Sequence, residues 1–300
     1  MKKKFTDGKL FLGLLIFLMG SIWGLSFLAT NIAVSHFAPI QTLTLRWTAA
    51  AAVFLVLAAL GKVRLPGKTP GLGVLLATGA AMPCVYGLFE ATGIRLTSVS
   101  ESGVIIGSMP VFTLLITGLI RRKKSDWLTV AGILISFAGV AGCTVLAPDF
   151  TPGGRLPGYL SLLVAVLAGA AFMHLSARAG TWYSSAQITA AMSLMGCVFF
   201  NALNLVMGYG LGTYRDCVTH PRAGLACLFL GVLCSSLCYL LMNYVLSRVE
   251  NTAVASNLGN CWTTVVAVIA GVVMGDSAGW YTAVGLALIV TGLFLCAREV

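Results

Sequence analysis

Apolar stretches of about 20 residues, the length a helix needs to cross the hydrocarbon core of a bilayer, recur along the whole chain. Bounded by glycine, proline and charged clusters, they predict helical spans near 10–32, 38–60, 71–93, 98–120, 127–147, 157–177, 186–208, 223–246, 252–274 and 279–297. This is an all-α polytopic membrane protein with ten transmembrane helices, and the short polar intervals leave no room for a separate soluble domain. Met1-Lys2-Lys3-Lys4 ahead of an apolar run from Leu10 has the layout of a secretory signal. The run is too long for one and more membrane follows, so it is expected to be an uncleaved first span.

Composition agrees. Of 300 residues 58% are hydrophobic and 9% charged, where a soluble domain carries about 25% charged residues. A formal charge of +10 raises the question of a nucleic-acid partner, and the placement of the charge answers it. With a cytoplasmic N-terminus, Lys2, Lys3, Lys4, Lys9, Lys62, Arg64, Lys68, Arg121, Arg122, Lys123, Lys124, Arg178, Arg248 and Arg298 all fall inside, and only Arg95, Arg155, Arg215 and Arg222 outside. That asymmetry is a topology signal. It predicts a multi-pass protein of the cell (cytoplasmic) membrane with both termini cytoplasmic, and no nucleic acid. Eight of the nine cysteines lie within apolar runs, with no C-x-x-C pair, and read as small packing residues rather than a disulfide framework or a zinc site.

Residues 71–143 laid over 224–296 at a constant offset of 153 match Tyr86 with Tyr239, Arg95 with Arg248, Trp127 with Trp280, Gly132 with Gly285, Gly139 with Gly292 and Cys143 with Cys296. Apolar bias does not align Tyr, Arg and Trp in one register, so the chain is expected to be duplicated. The halves are 1–150 and 151–300. Five spans per half is an odd number, so the second half must enter the membrane from the opposite side, giving two inverted five-helix repeats. Transporters use that architecture to open alternately to each side, and a membrane enzyme has no evident need of it.

A charge at the centre of a bilayer costs at least about 2.5 kcal/mol, which singles out Arg46, Glu90, Glu101 and His174. Glu90 lies one helical turn from Tyr86, with Pro83 a further turn back on the same stripe. The offset sets Asn243 opposite Glu90 and Tyr239 opposite Tyr86. Glu90 is expected either to bind a proton or a cationic substrate group, or to form a structural ion pair with Arg46 or Arg95. Arg46 either snorkels to the outer headgroups or holds an anionic group. Glu101 is close enough to the outer interface to be solvated, and His174 reads as a satisfied interfacial histidine. In the ninth span Asn257, Asn260 and Thr264, with Trp262 between, either line the solute path or bond a neighbouring helix. Gly20 to Gly24 and Gly103 to Gly107 have the spacing of close helix packing.

Other chemistries fail on spacing. Gly67-Lys68-Thr69 resembles the end of a phosphate-binding loop, but Lys62 stands where the motif needs glycine. Asp7, Asp126, Asp149, Asp216 and Asp276 fall at loops or span ends, so an intramembrane aspartyl protease lacks its acids. Ser98, Ser100 and Ser102 have no nucleophile setting with His174.

Trp23-Gly24-Leu25-Ser26-Phe27, Leu45-Arg46-Trp47, Leu96-Thr97-Ser98-Val99-Ser100 leading to Met109-Pro110-Val111-Phe112, Tyr239 through Tyr244, and Gly285 through Gly292 resemble the EamA family of the drug/metabolite transporter superfamily over nearly the whole chain. The resemblance implies a central cavity lined mainly by spans one, three, four, six, eight and nine, with spans five and ten peripheral. It also implies transport of small metabolites, commonly amino acids and related compounds, without ATP. By position it points to Trp23, Arg46, Tyr86, Glu90, Pro110, Tyr239 and Asn243. Two departures stand out: Thr263 occupies the place matching Pro110, and Arg121-Arg122-Lys123 replaces the acidic residue usual after span four, although Asp276 keeps it after span nine.

The expected function is secondary transport of a small metabolite by alternating access, in the export direction, with no cofactor. Its partners would be a small-molecule solute and the lipid bilayer, with proton coupling open and a monomer or homodimer as the assembly. The substrate pathway would comprise Trp23, Arg46, Tyr86, Glu90, Tyr239, Asn243, Asn257, Asn260 and Trp262. The alternative is a polytopic membrane enzyme acting on a lipid-borne substrate, for which no nucleophile with base and no metal-ligand set converges at one depth. A passive channel would need rings of pore-lining charge or carbonyls.

Overall fold

A computed structural model describes residues 8–96, 105–121, 126–146, 153, 156–249, 251–273 and 279–296. Lys2 to Lys4, Asp7, Thr97 to Ser100, Glu101, Ser102, Gly103, Arg122 to Lys124, Asp149, Arg155, Asp276 and Arg298 lie outside the described residues, as do the side chains of Arg95, Arg121 and Cys143.

Among the described residues the apolar runs are helical: α1 (Lys9–Val34), α2 (Pro39–Ala59), α3 in three consecutive segments (Leu72–Gly79, Ala80–Val85, Tyr86–Leu96), α4 (Met109–Arg121), α5 (Trp127–Val145), α6 (Leu156–Ala179), α7 (Ser185–Val206), α8 in three segments (Pro221–Phe229, Leu230–Cys238, Tyr239–Leu246), α9 (Thr252–Val273) and α10 (Trp280–Cys296). Among the described residues, seven helices are long and apolar enough to cross a membrane, and Ile105–Leu119, Trp127–Gly142 and Trp280–Cys296 are shorter apolar helices. Leu10, Leu119, Val206, Trp280 and Phe294 are exposed, as apolar side chains in contact with lipid are. Pro39 opens α2 at its first turn, where a missing N–H costs nothing. Ser184 caps α7 reciprocally with Gln187.

Periodicity alone does not reveal that α3 and α8 are irregular midway. In α3 the middle segment is π-helical and Met82 adopts extended dihedrals (φ −137°, ψ 112°). Pro83 has no N–H to give the preceding turn, and its ring crowds the carbonyl four residues back. In α8 the segment Leu230–Cys238 is π-helical. The offset of 153 carries Ala80–Val85 onto the end of that segment, and both chains resume α-helix at a tyrosine, Tyr86 and Tyr239.

α1 packs on α8 and α9, α6 on α3 and α4, α2 on α7, and α5 on α10. α5 and α10 are antiparallel. A Cβ on Gly139 would stand 2.6 Å from the Gly285 carbonyl oxygen, and one on Gly132 would stand 2.9 Å from that of Gly292. Gly20 and Gly24 are pressed against Trp262 and Val266 of α9, which is the packing role expected of that spacing. A short helix, Gly212–Thr219, caps one end of the bundle. It is fastened by Gln41 Nε2 donating to Thr213 Oγ1 (3.2 Å) and Tyr214 donating to Asn201 Oδ1 (2.6 Å). On this connector, outside the spans, partial burial pushes the Cys217 thiol up from its ordinary pKa.

Candidate functional site

Five of the residues singled out in the sequence converge inside the bundle where α1, α2, α3 and α8 meet. The Tyr86 hydroxyl donates to Glu90 Oε1 at 2.7 Å along one face of α3, the contact that their four-residue spacing allows. From α2, Arg46 points inward: its Nε donates to Ser235 Oγ on α8 at 2.6 Å. It therefore does not snorkel to the headgroups. The Arg46 guanidinium acts electrostatically on Glu90, Tyr86 and Tyr239. Among the described residues, no ion pair within 4 Å joins Arg46 to Glu90.

Aromatic rings enclose these charges. Tyr239 is the hub: its ring lies 5.5 Å from Trp23, 5.8 Å from Trp47 and 6.0 Å from Phe172. Trp23 Nε1 donates to the Cys234 carbonyl at 3.2 Å, and the Arg46 guanidinium carbon lies 5.8 Å from the Trp47 ring centre. Such distances suit edge-to-face and cation–π contacts. Space for the cluster comes from glycine. A Cβ on Gly231 would lie 2.6 Å from the Arg46 carbonyl oxygen, so only glycine lets α8 approach α2 closely enough for Ser235, one turn on, to reach the guanidinium.

The remaining candidates lie elsewhere. The Asn243 amide is fully buried: it accepts from Ser176 Oγ at 2.6 Å and donates to Thr189 Oγ1 at 2.9 Å, tying α8 to α6 and α7. Asn257 faces α5 and α10, donating to Ser136 Oγ at 3.3 Å and to Cys296 Sγ at 3.4 Å. Asn260 donates to Ser256 Oγ within its own helix at 3.3 Å. Trp262 donates to Ser21 Oγ at 3.0 Å and stacks edge-on against Phe17 at 4.8 Å, both on α1. His174 is held between α4 and α9: Nε2 lies 3.2 Å from the Thr113 carbonyl, and Nδ1 lies 3.2 Å from Thr252 Oγ1. Since a carbonyl only accepts, Nε2 carries the hydrogen.

Sequence reasoning missed Ser235 and Phe172, and had Trp47 only as a member of the motif Leu45-Arg46-Trp47, not as a site residue. Ser235-Ser236 is a polar pair in mid-span, a signal of the same kind as the amides of α9. Phe172 carries no such signal in an apolar run, whereas Trp47 stands next to the conspicuous Arg46. A cavity of about 370 Å³ lies between the start of α2 at Ala38–Ile40, Leu88 to Leu96 of α3 and Leu203 and Met207 of α7. By helical spacing it is on the opposite face of α3 from Tyr86 and Glu90, and its walls are mainly apolar, with Thr92 and Tyr209 among them. Among the described residues no group of three or more His, Cys, Asp or Glu could hold a metal ion.

Residues 10–145 and 156–298 each match the model of the EamA-like transporter family. The chain is 31% identical over 276 residues to an uncharacterized transporter, YcxC, of Bacillus subtilis, covering 91% of this chain and 88% of that one. An uncharacterized transporter of Archaeoglobus fulgidus is 24% identical, with 93% and 96% covered. A solved crystal structure superposes with a TM-score of 0.78 at 20% identity over 95% of this chain and 97% of the other, which speaks to the fold.

Proposed function

The chain belongs to the EamA-like transporter family, a multi-pass membrane transporter rather than an enzyme, and from that premise we propose that it moves a small polar metabolite, an amino acid or related compound, outward by alternating access through the Arg46–Glu90 cluster. The observation that carries this reading is an acidic and a basic side chain enclosed by aromatic rings within the bundle, contributed by both halves of the chain: Trp23, Arg46, Tyr86 and Glu90 from one, Phe172, Ser235 and Tyr239 from the other. Sites of alternating-access carriers lie at such interfaces between repeats.

Several features support the inverted repeat. The family model matches twice in tandem. The irregular segments of α3 and α8 coincide at the sequence offset. At the α5–α10 crossing, Gly132 meets Gly292 and Gly139 meets Gly285, the reciprocal pattern of a two-fold axis relating the helices. Both termini are assigned to the cytoplasm from the distribution of lysine and arginine.

Reconstitution in liposomes, with a panel of amino acids and organic ions and with or without an imposed pH gradient, tests the proposal. Exchange of polar metabolites is expected, and Glu90→Gln should abolish any response to the gradient. A purified, folded protein that neither binds nor moves any member of the panel would overturn it.

A further inference from the structure

The two charges in the site are each held by a neutral hydroxyl and not by one another. Arg46 uses Nε on Ser235, and Glu90 uses Oε1 on Tyr86. A guanidinium has five N–H donors in a planar fork, and a carboxylate has two oxygens. Among the described residues, the terminal nitrogens of Arg46 and Oε2 of Glu90 have no hydrogen-bond partner. Leaving opposite charges unjoined within a bundle is costly, because a buried charge needs a counter-charge and full hydrogen bonding.

The surroundings hold them apart. Ser235 is fully buried on α8, in the segment that Gly231 sets against the backbone of α2. Tyr86 and Glu90 share a stripe of α3. The guanidinium that Ser235 holds by Nε presents its outer edge, the pair of terminal nitrogens that grips a carboxylate in bidentate fashion. Glu90 presents a free oxygen to a cation, with Tyr239 near enough to feel its charge.

We infer that Arg46 and Glu90 are the two poles of a clamp for a zwitterion: Arg46 takes the carboxylate of the substrate, Glu90 takes its ammonium, and Ser235 is the positioning residue that aims the guanidinium. This rests on the transport reading of the same site and narrows it to molecules carrying both charges. A substrate lacking the carboxylate leaves Arg46 desolvated and unpaired, and one lacking the ammonium meets the charge of Glu90. Sites built around polar groups of a ligand reject analogues without them far more strongly than apolar pockets reject a missing methylene.

The experiment is counterflow in proteoliposomes with three matched pools: the amino acids, the amines obtained by removing their carboxylates, and the carboxylic acids obtained by removing their amino groups. Wild-type protein should carry the amino acids with kcat/KM at least about tenfold above either analogue pool. Arg46→Gln should erase the preference for amino acids over amines. Ser235→Ala should raise KM for the amino acids severalfold and leave KM for the amines unchanged, and Ser235→Thr, which keeps a hydroxyl, should restore it. A merely structural serine would move both pools together. Equal transport of amines and amino acids by wild-type protein, or an undiminished preference in folded Arg46→Gln, overturns the clamp while leaving the transport reading in place. If none of the pools and none of the organic ions crosses, the transport reading fails and the clamp with it.

Discussion

Replacing Asn243 by leucine separates scaffold from pathway. The side chain is fully buried and makes two interhelical hydrogen bonds to hydroxyls, accepting from Ser176 Oγ at 2.6 Å and donating to Thr189 Oγ1 at 2.9 Å, besides a weak one from Nδ2 to Met192 Sδ at 3.5 Å. Leucine keeps the branched shape and opens no cavity, and the loss counted is that of the bonds. An interhelical hydrogen bond in a membrane protein averages about 0.6 kcal/mol and reaches about 1.7 kcal/mol, so two amount to roughly 1–3 kcal/mol. Thr189 still donates to the Ser185 carbonyl at 2.8 Å, and Ser176 can turn to the carbonyl one helical turn back. The lower part of the range, about 1–2 kcal/mol, is therefore expected, a factor of roughly 5–30 in the folded-to-unfolded ratio. Unfolding in detergent measured alongside KM in proteoliposomes should show reduced stability with KM unchanged. Unaltered stability with a shifted KM would refute the argument and return Asn243 to the solute path.

Tyr86→Phe removes the donor to Glu90; a hydrogen bond to a charged group is worth about 1.5 kcal/mol or more, so kcat/KM should fall by about tenfold while the folded yield is kept. Gly139→Leu drives a side chain into the α10 backbone at the Gly285 carbonyl and the Ile289 N–H; overpacking of about 1–3 kcal/mol should appear as a lower unfolding midpoint. Tags at both ends and in the basic connector before Ser125 should all be accessible from the cytoplasm only; any one labelled from outside reverses the topology.

Much of the architecture was legible in the chain. Most of the described helices begin and end within a few residues of the apolar runs, because lipid demands continuous apolar length with every backbone group bonded internally; the exception is the run at 98–120, where the long helix starts only at Met109 and residues 98–104 lie outside the described residues. The offset that aligns Tyr86 with Tyr239 also aligns the irregular segments of α3 and α8. Pro83 announces one of these breaks, whereas nothing comparable in 230–238 announces the other. The site was legible only in part. Glu90 and Arg46 stand out because a charge in a span is conspicuous, but the sequence left open whether they form an ion pair with each other.

Amides in a span looked alike as text, yet Asn243 and Asn257 bond neighbouring helices in the structure. A polar residue in lipid must find a partner, and its own helix specifies only the face on which to look. Thus the sequence by itself determined the helical, membrane-spanning character of the chain, the charge asymmetry of its polar intervals and the match of residues 71–143 with 224–296, all properties of segments read against a bilayer. Which face of each helix meets which neighbour is a property of packing between segments far apart in the chain. Ser235 reaches Arg46 across 189 positions, and only the fold brings that serine, Trp47 and Phe172 around the charges.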